Sequence, residues 1–228
     1  MYFCTMERRI IITADGSPTL FVPELNETYH SMRGAVCESQ HVFIDAGLKL
    51  VGSRGAKFCA PTATIRILEV GFGTGLNALL TLLYAEEHKI AVCYEALEKY
   101  PLSGEEVAVL NYPDNDKLTA LHACAWEDPA QLTANFSLHK RQVDLLDYIP
   151  EQKFDLIYFD AFAPTVQPEL WSREVFAKLH ASMLPDGVLV TYSAKGTVKT
   201  ALRSVGFKVQ RLPGAAGKRH MLRAMIND

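Results

Sequence analysis

The chain has 228 residues, 49% of them hydrophobic, which is enough to bury a substantial core and fits one domain or one domain with an elaboration. No apolar run is long enough to cross a membrane, and the charged opening "MYFCTMERRIIITADGS" is unlike a signal peptide, so a cytoplasmic location without membrane association is expected. The cysteines Cys4, Cys37, Cys59, Cys93 and Cys124 are odd in number, scattered and without a CxxC pair, so neither a disulfide framework nor a metal site is expected.

In chain order, residues 1–60 alternate β-like runs, "RRIIIT" and "TLFVPEL", with a helix predicted from about Ser31 to Ala46, before the loop "VGSRGAKFCAPTAT". From Ile65 the rhythm changes to strand, turn and helix, which sets residues 61–228 apart as a core with residues 1–60 as an N-terminal elaboration. "TIRILEV" is a buried strand and "GLNALLTLLYAEEH" a helix apolar on most faces. "KIAVCYEALE", "ANFSLHKRQ" and "KFDLIYFDAFAP" give three further strands, with a helix in "YPLSGEEVAVLNY" between the first two. In "ELWSREVFAKLHASML", Trp171, Val175, Leu179 and Met183 recur every four residues and share one helix face. "PDGVLVTYSA" turns into a fifth strand, "GTVKTALRSVGF" is a helix ending near Gly206, and "FKVQRLP" with "KRHMLRAMI" forms a terminal strand pair. Such alternation implies an α/β fold: a mostly parallel sheet with helices on both faces and a terminal antiparallel strand.

Three glycines, Gly71, Gly73 and Gly75, stand between the first core strand and its helix. Glycine allows strained backbone angles and close approach to a ligand, and the helix that follows points its N–H groups the same way. The dinucleotide fingerprint G-x-G-x-x-G/A fails at its sixth position, where Leu76 stands, which disfavours a nicotinamide oxidoreductase. Acids then close successive strands: Glu69 at the first, Glu98 at the second with Glu95 as a weaker competitor, Asp144 after the third and Asp160 at the end of "FDLIYFDAFAP". A carboxylate after the second strand suits ribose hydroxyls.

"LEVGFGTG" resembles motif I of the class I methyltransferases, which bind S-adenosylmethionine. "TYHSMRGAVCESQHVFIDAGL", "ILEVGFGTGLNALL", "EKYPL", "FDLIYFDAFAPTVQPELWS" and "AAGKRHML" together resemble the methyltransferase domain of the MnmC family of bacterial bifunctional enzymes, from about Ser17 to Ala224. That family completes 5-methylaminomethyl-2-thiouridine at the tRNA wobble position. The resemblance implies a class I methyltransferase (Rossmann-like) fold and methyl transfer from S-adenosylmethionine to an aminomethyl nitrogen on the uridine. Glu69, Gly71, Gly73, Gly75, Asn77, Glu98, Asp144 and Asp160 would then hold the cofactor, with Asp160 also at the reacting centre. It places the N-terminal segment over the site mouth, where Tyr29 and Ser31 with Phe162 would meet the uridine; His30 is a weaker candidate. Ala161 stands where a glycine is expected. Because the match covers the methyltransferase part, no FAD is expected, and a separate enzyme is expected to make the aminomethyl uridine.

Charge supports a polyanionic partner. From Lys195 on, eight basic side chains face the single acid Asp228, although the whole chain carries only −3. Lys195, Lys218 and Arg219 are the candidates for tRNA contact, with Lys199 and Arg203 four apart on one helix face. Two other readings use the same fold: a small-molecule amine methyl- or aminopropyltransferase, and a non-catalytic RNA-binding module.

Overall fold

Three short strands near the N-terminus pair only with one another. β1 (Arg9–Ile12), β2 (Pro18–Val22) and β3 (Glu27–Thr28) form an antiparallel sheet in the order β1-β2-β3. This is a computed structural model, and it describes residues 7–55, 64–215 and 217–226. After the sheet comes one continuous helical run, α1 (Ala35–Ser39), a π-wound stretch (Gln40–Leu48) and α2 (Lys49–Gly55).

This helix corrects the span Ser31–Ala46 at both ends. It starts later because Gly34 has φ +145, a conformation reserved for glycine, and its N–H closes a turn onto the Ser31 carbonyl (3.0 Å). It continues past Ala46 because Gly47 lets the helix press on the main sheet: a Cβ there would lie 3.1 Å from Val190, 3.3 Å from Leu156 and 3.4 Å from Tyr158. The loop expected from Val51 therefore begins as helix, and the expected boundary at residue 60 lies outside the described residues, as do Cys4 and Cys59. Cys37, Cys93 and Cys124 are free thiols.

The main sheet has eight strands. β4 (Ile65–Val70), β5 (Val92–Leu97), β6 (Ala130–Thr133), β7 (Phe136–Arg141), β8 (Phe154–Phe159), β9 (Met183–Thr191), β10 (Lys208–Pro213) and β11 (His220–Met225) lie in the order β10-β11-β9-β8-β4-β5-β7-β6. The central pairs β9·β8, β8·β4, β4·β5 and β5·β7 are parallel; both edges are antiparallel. From β4 the chain steps out through β5 to β7, then returns to place β8 on the other side of β4. Strand order thus reverses between β4 and β8, where a crevice opens at the strands' C-terminal ends.

Helices cover both faces. On one lie the π-wound stretch, α3 (Leu76–His88) and α5 (Asn115–Ala123), with Phe43, Leu79 and Leu118 packed over Ile67, Tyr94 and Tyr158. On the other, α6 (Arg173–Ala181) and α7 (Gly196–Ser204) bury Val175, Phe176, Leu179, Val198 and Leu202 against Leu68, Ile157 and Leu189. Trp171, Val175, Leu179 and Met183 are all buried as their spacing predicts, but only the middle two sit in α6. Trp171 belongs to a 3-10 turn (Pro168–Trp171) and Met183 opens β9, because Ser172 caps the helix by accepting from Val175 N. α4 (Gly104–Ala108) fills the expected helix region after β5, started by a reciprocal cap between Ser103 and Glu106. α5 and β6 are additions to the expected elements. α5 begins at Asp114, whose carboxylate accepts from Lys117 N, within a stretch whose Pro113 and clustered polar residues read as loop. Among the described residues, no helix is long and apolar enough to cross a membrane.

Candidate active site

The glycine turn follows β4 at the crevice. Gly71 N and Phe72 N both donate to the Leu97 carbonyl at 3.0 Å, which ties the turn to the end of β5. Gly71 has φ +89, and a Cβ there would lie 2.8 Å from the Asp160 carbonyl oxygen. Gly73 has φ +51, and its Cβ would lie 2.9 Å from the Tyr29 ring. Any larger residue would thus block the approach of β8 on one side or of Tyr29 on the other. Together they border a cavity of ≈ 560 Å³, within the usual size for a site that encloses a small ligand.

Of the residues expected from sequence, Gly71, Gly73, Asn77, Glu98, Asp144, Asp160, Tyr29, Ser31, Phe162, Lys218 and the weaker candidate His30 all line this cavity. Glu98 accepts from Gly73 N (2.9 Å) and Tyr100 N (2.8 Å), so it orders the turn while facing the cavity. Asp144 accepts from Leu146 N and pairs with Lys99 Nζ at 2.7 Å. Burial raises its pKa, but Lys99 and the backbone bond outweigh that and hold it below the usual carboxylate value.

Asp160 extends from β8, its N–H bonded to the Val70 carbonyl (3.0 Å) and its Oδ2 accepting from Asn77 Nδ2 (2.8 Å). Burial pushes its carboxyl up to about 7, against the opposing pull of the Asn77 amide. The charge of Glu38 raises it further and that of Lys218 lowers it. Behind it, the loop is fixed by Tyr192 Oη donating to the Ala161 carbonyl (2.9 Å) and Trp171 Nε1 donating to the Phe162 carbonyl (2.9 Å). Ala161 is accommodated there, buried at 7% exposure.

Four expected residues are not on the wall. Glu69 is fully buried beneath it, Gly75 caps α3 behind it, and Lys195 and Arg219 lie outside. Lys195 Nζ donates to Thr165 Oγ1 (3.3 Å). Glu95, the competitor of Glu98, faces away and accepts from Tyr148 Oη and Gln152 Nε2. His30 is buried, beside Thr19 Oγ1 (3.1 Å), and desolvation lowers its pKa to about 4, so it is neutral at physiological pH.

Three residues that hold the wall formed by Tyr29, Ser31, Ala161 and Lys218, namely Arg8, Glu38 and Tyr192, are absent from the expected set. Arg8 donates to Tyr29 Oη (3.0 Å), to the Tyr100 carbonyl (2.7 Å) and to both oxygens of Glu106, which clamps the N-terminal sheet to the core. Glu38 accepts from Ser31 N (2.9 Å) and pairs with Lys218 Nζ, which also lies 4.5 Å from the centre of the Tyr192 ring. The Lys218 ammonium is therefore held inward rather than free for a phosphate. Only Glu38 leaves a trace in the sequence: it is an acid on the helix stripe shared with Ala35 and Val42.

The arrangement suits a nucleoside-bearing cationic cofactor. A side-chain-free turn lets a ligand approach the backbone, Glu98 and Asp144 offer acceptors for hydroxyl and amino groups, and Asp160 places a carboxylate at the far end.

Comparison with known proteins agrees with that chemistry. Residues 108–227 match a family model described as S-adenosyl-L-methionine-dependent methyltransferase. The tRNA 5-methylaminomethyl-2-thiouridine biosynthesis bifunctional protein MnmC of Burkholderia multivorans is 33% identical over 223 residues, 90% of this chain and 33% of that protein; the corresponding protein of Cupriavidus metallidurans is 30% identical over 92% of this chain. The chain thus spans about a third of the length of these relatives. The crystal structure of MNMC2 from Aquifex aeolicus superposes with a TM-score of 0.81 at 28% identity, over 97% of this chain and 72% of that one. Spermidine synthase from Thermotoga maritima, at TM-score 0.55 and 14% identity, shares the fold. With the family match covering more than half its length and the glycine turn and strand-end acids gathered at one crevice, the chain belongs to the S-adenosyl-L-methionine-dependent methyltransferases.

Proposed function

We propose that this chain transfers a methyl group from S-adenosylmethionine to the aminomethyl nitrogen of 5-aminomethyl-(2-thio)uridine at the tRNA wobble position. The observation that carries the reading is Asp160: a carboxyl near neutrality, at the end of β8, inside a cavity walled by the aromatic rings of Tyr29, Phe162 and Tyr192. The likeness to MnmC proteins along almost the entire chain supports the tRNA substrate.

S-adenosylmethionine would supply an electrophilic methyl on a sulfonium, whose carbon–sulfur bond breaks in the transfer and leaves the neutral thioether S-adenosylhomocysteine. Glu98 and Asp144 would hold its ribose and adenine, and the glycine turn its amino-acid end. Tyr29 and Phe162, in edge-to-face contact at 5.2 Å, present apolar surface to the uridine and exclude water. The amine must arrive neutral. Asp160 accepts a hydrogen bond or proton from it and stabilises the positive charge that develops on nitrogen. The aminomethyl group itself comes from an earlier reaction on the tRNA.

The test is methyl transfer from labelled S-adenosylmethionine to tRNA bearing 5-aminomethyl uridine, alongside unmodified tRNA and a polyamine. Labelled methylaminomethyl uridine from the modified tRNA alone is the expected product. Transfer to the polyamine instead would replace the substrate, and cofactor binding without any transfer would discard the wobble assignment.

A further inference from the structure

Among the described residues, the buried side-chain polar atoms without a hydrogen-bond partner are Ser39 Oγ, Asn77 Oδ1, Tyr94 Oη and both carboxyl oxygens of Glu69. All but the first belong to three side chains in one place. In the β4·β5 register Ile67 faces Tyr94 and Glu69 faces Ala96, so Glu69 and Tyr94 project to the same side of the sheet. That side carries α3, whose first turn contributes Asn77. Glu69 has no exposed surface, and the polar ends of Asn77 and Tyr94 are the groups that meet it. An ionised Glu69 would leave a buried charge without a cation and Asn77 Oδ1 without a donor, each costly in an apolar interior.

We propose that Glu69 carries a proton and acts as a positioning residue, its O–H donating to Asn77 Oδ1 and so fixing the amide with Nδ2 towards Asp160. Tyr94 Oη, which interacts with Glu69 electrostatically, faces the other oxygen as a donor that either protonation state of Glu69 could accept. The single proton that this assignment adds gives Asn77 Oδ1 and one Glu69 oxygen each a partner, and it continues the observed Asn77 Nδ2 bond to Asp160 Oδ2 at 2.8 Å. Asn77 has one donor end and one acceptor end to offer two acids, so the acid at its oxygen must be protonated and the acid at its nitrogen can be ionised. The proton belongs on Glu69, which is sealed from the cavity, and the lone pairs belong on Asp160, which lines it. Burial acts in the same direction, pushing the Glu69 carboxyl well above its ordinary value and outweighing the opposing pull of the Asn77 amide and the Tyr94 hydroxyl. The other groups around the pair are Glu98 and Tyr158 beside Glu69, and Glu38, Lys218 and Tyr192 beside Asp160.

The inference rests on the placement of Asp160 and not on the identity of the methyl acceptor, so it is tested without turnover. Asp160 is titrated by carbon-13 NMR in aspartate-labelled protein, its signal assigned with Asp160→Asn. Glu69→Gln keeps a donor for Asn77 Oδ1 and an acceptor for Tyr94, so the Asp160 midpoint should match wild type. Glu69→Leu removes the donor and should raise the midpoint by about one pH unit, a tenfold change in the protonated-to-ionised ratio. A lowered midpoint in Glu69→Gln would mean that a real negative charge had been removed, and an unchanged one in Glu69→Leu that Glu69 does not orient Asn77; either overturns the proposal. If Glu69→Leu does not fold, the infrared spectrum at about pH 9, where Asp160 is ionised, decides: wild type should show a protonated-carboxyl stretch that Glu69→Gln lacks, and its absence in wild type sinks the idea.

Discussion

The side of the cavity that we assign to the cofactor and the side that we assign to the methyl acceptor are built in opposite ways. On the cofactor side each residue sits at the end of a successive strand, Gly71 and Gly73 after β4, Glu98 after β5 and Asp144 beyond β7, and the sheet itself places them. The acceptor side has no such frame. It is assembled from distant parts of the chain by side-chain bonds: Arg8 to Tyr29 and Glu106, Glu38 to Lys218, Tyr192 to Ala161. A periodic fold can position ligands from local sequence, whereas a site between a fold and its elaboration depends on a few long-range polar contacts.

Asp160 stands where the two sides meet, and changing it should have the largest effect. Asp160→Asn preserves size and the bond from Asn77 but removes the proton acceptor. Turnover should fall by about 10²–10⁴-fold, while S-adenosylmethionine affinity, measured by calorimetry, changes far less. Equal losses of both would move Asp160 out of the reacting centre. In wild type kcat/KM should rise with pH through about 7 as Asp160 ionises. The same group sets a stability trade. Its native carboxyl is raised from the ordinary value to about 7, so the native state holds a proton that the unfolded chain releases earlier. That contribution to stability is complete below the unfolded pKa and is lost as pH climbs to about 7. Asp160→Asn should therefore gain Tm relative to wild type at pH 8 and much less at pH 4.

Substitutions confined to one side should separate the two functions. Gly71→Ala forces a Cβ to within 2.8 Å of the Asp160 carbonyl at φ +89. Strain of about 1–3 kcal/mol is expected, along with weakened cofactor binding, and full affinity by calorimetry would show that the turn relaxes without cost. On the other side, Arg8→Met removes the clamp on Tyr29 and leaves Glu106 without its cation. Charged hydrogen bonds of this kind contribute about 1.5–3 kcal/mol, but Arg8 touches no cofactor-side residue except through the Tyr100 carbonyl. KM for tRNA should rise several-fold with cofactor affinity nearly intact. If both affinities fell together, the two sides would not be separable.

The same contrast explains what the sequence reveals. The parallel core, the strand ends and the glycine turn follow from hydrophobic period and from residue types with few other uses, so Gly71, Gly73, Glu98, Asp144 and Asp160 are recognisable from residue type and spacing. The helix at 35–55 is harder to delimit, because Gly34 and Gly47 read alike as breakers. One ends a turn at positive φ, and the other sits mid-helix where the backbone must approach Val190 and Tyr158. Arg8 and Tyr192 carry no local signal, since their roles depend on partners 98 and 31 residues away. Glu69 is recognisable as a strand-end acid, but pleating turns its side chain under the turn, and its place below the cavity floor follows from the packing of α3 on β4.

Charge shows the limit of reading residues singly, and it yields the smallest expected effect. Lys218 and Arg219 are adjacent cations in a basic tail and look equivalent for binding phosphate. In the fold, Lys218 Nζ is committed to Glu38 and the Tyr192 ring, whereas Arg219 is exposed outside the cavity. Neutralising a cation that contacts phosphate should reduce the slope of log K against log salt by about one, with a uniform loss of affinity. Arg219→Gln should do this for tRNA. Lys218→Met should leave the slope alone and instead alter KM, because it frees the Glu38 carboxylate beside Asp160. The reverse result, a flattened slope for Lys218→Met and none for Arg219→Gln, would mean that the Glu38 pair opens when tRNA docks and that the inward ammonium is the phosphate ligand after all.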